Sequence, residues 1–157
     1  MTNARLDHRR WIPSLGCDSG QSILETALVA PLLIIILVGA AEFGRLAFAA
    51  VEVSNAASAG ARYGAQNGST ASDSTGISNA AANDAGNLTG LSTTSSISCI
   101  CSDGTAASCT DNSACSTSNI EESVTVSSQA SFDPLIHLPG FPKTFTLKGQ
   151  AIQKCLQ

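Results

Sequence analysis

The sequence predicts an α+β protein in which a long N-terminal transmembrane helix leads into a small antiparallel sheet. Three observations carry that expectation. Residues 23–41 read ILETALVAPLLIIILVGAA, an almost unbroken apolar run. Residues 124–132 and 145–151 alternate apolar with polar side chains, the period of half-buried strands. Cys99, Cys101, Cys109 and Cys115 cluster ahead of those strands, where a polar loop needs outside help to stay folded.

The apolar run comes first. Its 19 residues make about 28 Å of helix, close to the ~30 Å hydrocarbon thickness of a bilayer. Leu33 to Leu37 place large apolar side chains around the whole circumference, so no wet face remains for a soluble helix. A cleavable signal peptide is the rival reading. Against it, the run passes into Phe43-Gly-Arg-Leu-Ala-Phe-Ala-Ala-Val-Glu52 with its helical pattern intact. Leu15-Gly16-Cys17 looks like a lipoprotein box, but such a box follows its apolar region and this one precedes it. Pro31 removes one backbone hydrogen bond, to Ala27, and is expected to kink the helix without ending it. The transmembrane and extended helix is therefore expected over 21–66, about 69 Å of rod, broken at Asn67-Gly68-Ser69. Glu25 and Glu42, ~25 Å apart along it, bracket the bilayer. Ala56, Gly60 and Gly64 form a ridge of small residues that permits close approach of the chain's own sheet or of another subunit.

Charge orients the span. Arg5, Arg9 and Arg10 outweigh Asp7 and Asp18 in the leader, residues 1–20, and acids dominate from Asp73 to Asp133. The positive-inside bias puts the N-terminus in the cytoplasm and the long remainder outside. Net charge is −4, and beyond the leader only Arg45, Arg62, Lys143, Lys148 and Lys154 are basic. Cations so scattered make no footprint for nucleic acid, and no such partner is expected. The single Trp, Trp11, lies in the leader, so a large aromatic core is not expected either.

Residues 67–157 are expected to fold as the small extracytoplasmic α+β domain. Ile77, Ala80, Ala81, Asp84, Ala85 and Leu88 give one mildly apolar helical face. Strand signals follow at Ile97, Cys99 and Cys101. Val124, Val126, Ala130 and Phe132 share one face of a second strand, and Phe145, Leu147, Gly149 and Ala151 share one face of a third. Between the last two lies the proline-rich crossing loop 133–142. No internal repeat is visible.

The clustered cysteines admit two readings. Their spacing is not that of a usual zinc site and no His lies near, so disulfides are favoured over metal in a domain outside the cytoplasm. Three pairings of the four are possible. Cys17 and Cys155 lie apart; if the leader is removed, Cys155 is left to link subunits, remain free or exchange with the cluster. No catalytic set emerges: His137 beside Asp133 reads as a surface loop histidine, and Glu121-Glu122 as solvated charge. No enzymatic activity, cofactor or metal is expected.

One stretch carries a resemblance. Gly20-Gln-Ser-Ile-Leu-Glu-Thr-Ala-Leu-Val-Ala-Pro-Leu-Leu-Ile34, then Gly39-Ala-Ala-Glu-Phe-Gly-Arg45 and Asn55-Ala-Ala-Ser-Ala-Gly-Ala-Arg-Tyr-Gly-Ala65, resembles the opening of TadE-like proteins of tight-adherence (Flp-type) pilus systems. Ser58 stands where the family commonly has Arg, and Asp18-Ser19 where basic residues often precede the Gly. The resemblance implies a pilin-like α+β fold and a minor pseudopilin of the bacterial inner membrane. It also implies removal of the leader between Gly20 and Gln21 by a prepilin peptidase, with other pilins or pseudopilins and the inner-membrane assembly platform as partners. Glu25 would then be residue five of the mature chain. The new α-amine of Gln21 is placed i, i+4 to Glu25, or within reach of a neighbour's Glu25, either of which offsets an acid at the membrane edge. The structural alternative is a capping box, Ser22-x-x-Glu25. A second functional reading is an unprocessed single-pass membrane scaffold with an extracytoplasmic interaction domain.

Overall fold

The computed structural model describes residues 18–110, 115, 118–137, 140 and 142–155, and of Asp18 and Ser19 only the backbone. The readings that fall on residues 1–17, including the leader arginines, His8, Trp11 and Cys17, lie outside the described residues.

The chain divides into two compact units, Met1–Gly39 and Ala40–Gln157. Helix α1, Asp18–Gly64, supplies all the described structure of the first unit and enters the second. In the first unit the large apolar side chains from Ile23 to Val38 are exposed among the described residues. By length and composition this helix is able to cross a membrane. Pro31 lies inside it and the helix continues past, because the residues on either side supply an unbroken run of helix-compatible apolar side chains. The helix already includes Asp18, ahead of the expected start at 21, and closes at Gly64 with a final turn in which Ala65 N–H donates to Ala61 O at 2.9 Å.

Asn67 does more than break the helix. Its side chain accepts from the backbone N–H groups of Ser69 and Thr70, and the Thr70 hydroxyl accepts from Asn67 N–H, a reciprocal box that starts the short helix α2, Gly68–Ser72. Asp73 then caps α3, Ser74–Asp84, by accepting from Gly76 N–H at 2.9 Å. On α3, Ile77 and Ala81 are buried, followed by Ala85 just past its end, while Asp84 is exposed.

Four antiparallel strands complete the second unit: β1 (Ser92–Cys101), β2 (Ala106–Ala107), β3 (Ile120–Phe132) and β4 (Phe145–Lys154), in the order β2-β1-β3-β4. The expected α+β plan is present. The short β2 was not expected. It forms because Asp103 accepts from the N–H and hydroxyl of Thr105 while Gly104 takes φ +90°, turning β1 back on itself.

The two faces of β3 and β4 follow the alternation in the sequence. Val124, Val126, Ala130 and Phe132 are buried, with Ser128 completing the row. Ser128 tolerates burial because its hydroxyl shares a 3.1 Å hydrogen bond with Thr93. It is small for a second reason: its partner across the sheet is Gly149, and a Cβ built at Gly149 would lie 2.7 Å from the Ser54 Cα of α1. Helix backbone and strand backbone nearly touch there. The ridge at Ala56, Gly60 and Gly64 is buried within the chain: Ala56 packs with Ala81 and Ala85, and Gly60 and Gly64 lie under Ile77, Val126 and Val124. The ridge therefore serves the chain's own sheet and α3.

Candidate processing and assembly site

The candidate processing residues lie early in α1. Gly20 and Gln21 are helical and exposed. Because the helix already includes Asp18, Ser22 is an interior residue and cannot be an N-cap. Its carbonyl accepts from the Thr26 hydroxyl at 2.9 Å instead. The capping-box reading of Ser22 and Glu25 fails for that reason. Glu25 is exposed and makes no hydrogen bond or ion pair among the described residues. Helical spacing puts it on one face with Val29 and Leu33, a carboxylate at the edge of an apolar stripe.

At the far end of the apolar run a second acid is engaged. Glu42 accepts from Arg45 at 2.9 Å through one carboxylate oxygen, and from the backbone N–H of Leu135 at 3.3 Å through the other. The Arg45 guanidinium also lies over the Phe132 ring, 5.5 Å from its centroid. One helical turn thus holds the end of β3 and the start of the loop that follows it. The i, i+3 spacing of Glu42 and Arg45 was visible in the sequence, but the loop contact spans 93 positions and was not.

The cysteine cluster resolves as disulfides. Cys99 bonds Cys109 and Cys101 bonds Cys115, with Cα separations of 5.3 and 5.7 Å. All four clustered sulfurs are thereby paired. The β1–β2 turn runs the chain back along β1, with Ala107 across from Cys99, and so returns Cys109 to the neighbourhood of Cys99. Cys155 is a free, half-buried thiol. Burial, and then the nearby Glu122 carboxylate, push its pKa up and make its thiolate less available. His137 and Asp133 lie 3.4 Å apart, both well exposed, on the loop after β3.

Tyr63 and Asp73 tie the end of α1 to the start of α3. The Tyr63 hydroxyl donates to Asp73 at 2.9 Å. Together with the Gly76 N–H, which acts most strongly, that bond holds the Asp73 carboxyl below its ordinary value, while Asp73 pushes the Tyr63 phenol up.

These features define a class of protein: among the described residues, one helix apolar enough to span a membrane is joined to a small disulfide-stapled α+β domain. The family model for TadE-like proteins matches residues 20–62, from the Gly of the candidate cut through the apolar helix to Arg62. The resemblance holds over that stretch, and it points to a membrane protein associated with Tad pili. No curated protein and no solved structure matches the chain.

Proposed function

We propose that this chain is a minor pseudopilin of a tight-adherence-type pilus system and acts by helix–helix packing, not by catalysis. In this reading it sits in the bacterial inner membrane with its N-terminus cytoplasmic and residues 67–157 outside. A prepilin peptidase cuts between Gly20 and Gln21. The mature helix then packs beside those of other pilins or pseudopilins on the assembly platform. The observation that carries the proposal is the position of the family match. It begins at Gly20 and covers the stretch whose large side chains are exposed among the described residues. Such a surface is satisfied first by lipid and then by other helices, where packing and a shared acid set the register.

The scaffold reading keeps one specific support: the Gly20–Gln21 bond lies within a helix, so cutting it requires local unwinding. Mature N-terminal sequencing separates the two readings. In cells with an active prepilin peptidase, the pseudopilin begins at Gln21. An intact leader in those cells assigns the chain to the scaffold class.

A further inference from the structure

We propose that the loop after β3 is a second membrane contact, in which Leu135 and Ile136 enter the headgroup–acyl boundary of the leaflet where the apolar helix ends. The inference rests on the membrane reading of that helix. Its first support is position. Glu42 is the first residue beyond the apolar run 23–41, and its carboxylate accepts from the backbone N–H of Leu135 at 3.3 Å. The loop is therefore held beside the first residue that follows the apolar run. Its second support is rigidity: the same carboxylate is fixed by Arg45, which is itself seated over Phe132 at the end of β3.

The third support is unmet apolar surface at that level. Leu135 is 73% exposed and Ile136 44%, and Phe43, next to Glu42 on the helix, is 71% exposed. Single exposed apolar residues are ordinary, but two in succession on a loop pinned to a membrane-proximal turn are placed to insert. The charged neighbours suit the boundary as well. Asp133 and His137 flank the pair and are exposed, so they stay in the headgroup water while Leu135 and Ile136 enter below them. Two acids, Glu42 and Asp133, stand here against one permanent cation, Arg45, so the partner is a zwitterionic lipid surface and not an anionic one.

The test uses the full chain in phosphatidylcholine vesicles, with Trp11→Phe to remove the only native tryptophan and Leu135→Trp as reporter. Lipids brominated at shallow or deep acyl positions supply the quencher. Leu135→Trp is expected to lose more emission to shallow bromines than to deep ones, unchanged when anionic lipid is added. Leu33→Trp should show the reverse order, and Ala106→Trp on the edge strand no loss. Both disulfides, confirmed by mass, verify the fold of each variant. If Leu33→Trp is quenched and Leu135→Trp is not, the loop contact is overturned and the span stands. If neither is quenched, the membrane reading itself falls. Shielding of Leu135→Trp that grows with protein density, without bromine quenching, assigns the loop to a second copy and overturns the bilayer contact.

Discussion

The two units use opposite kinds of side chain. In the first, Ile23 to Val38 are large, apolar and exposed, so that unit is defined by what surrounds it. In the second, the buried positions are mostly alanine and glycine, and the larger fully buried side chains are few: Val53, Ile77, Val124, Val126 and Cys101. Small residues let α1 lie almost backbone to backbone against the sheet, which gains contact but little apolar area. At ~1.5–3 kcal/mol per buried aliphatic side chain, so few of them leave a thin margin, and caps and disulfides must widen it. Tolerance to substitution should therefore differ sharply between the units.

The largest effect expected is at Gly149. A Cβ there would meet the Ser54 Cα and the Val53 carbonyl, each at 2.7 Å, and backbone cannot move aside as a flexible side chain can. Gly149→Val, a residue that otherwise favours strands, should destabilise the domain by about 3 kcal/mol in urea titrations in detergent micelles. Gly39→Val is the matched control in the first unit, where an added Cβ finds nothing within 4 Å, and stability should not change. Equal effects at the two positions would erase the contrast between the units. Next in size is the Cys99–Cys109 bond. Replacing both with Ser frees a closed loop with a sequence separation of 10, a loss of about 2.5 kcal/mol in the same titration. No loss would mean that the cap network and the small core suffice alone.

The parts legible beforehand were those with a local period. Val124, Val126, Ala130 and Phe132 declared a buried strand face by alternation, and Ile77 with Ala81 and Ala85 declared a helix face. The apolar helix needed only composition. What stayed hidden depended on contacts distant in sequence or on capping without apolar signal. Helix α2, GSTAS, has no periodicity and exists because Asn67 caps it. The disulfide pairing depends on the turn between β1 and β2, which has no apolar signal. The destination of the small-residue ridge needed the sheet itself, and so did the engagement of Glu42 with Leu135. For the candidate site, the sequence exposed the acid at Glu25 but not the helical backbone already present at Asp18, which rules out a capping box.

A smaller effect tests the joint between α1 and α3. Asp73 has a folded-state pKa below its ordinary 3.8, so its contribution to stability is present above that value and is lost as pH falls through the folded value. Tyr63 has the opposite sign: its pKa lies above 10.0, so its contribution is lost only in strong alkali. Tyr63→Phe should move the Asp73 titration midpoint up toward 3.8, but not all the way, because the Gly76 N–H still holds the carboxylate. Carboxyl carbon NMR in micelles reads that midpoint. An unmoved midpoint would show that the phenol plays no part.

The smallest effect on folding belongs to Glu25, and that smallness is what makes it informative. It has no hydrogen bond or ion pair among the described residues and lies outside the unit that holds the packed core. Glu25→Ala should leave the urea midpoint of the domain unchanged, and it should leave insertion intact, since it removes a charge that is expensive within a bilayer by ~2.5–3.5 kcal/mol at mid-depth and less near the edge. An acid without a partner among the described residues, and costly to insert, calls for another group to satisfy it. The amine of a processed Gln21, on its own or a neighbouring helix, fits that need. Piliation should accordingly fall in Glu25→Ala cells while the protein remains folded and membrane-bound. Normal piliation would leave the acid without a role, and the register of assembly would then have to come from the apolar surfaces alone.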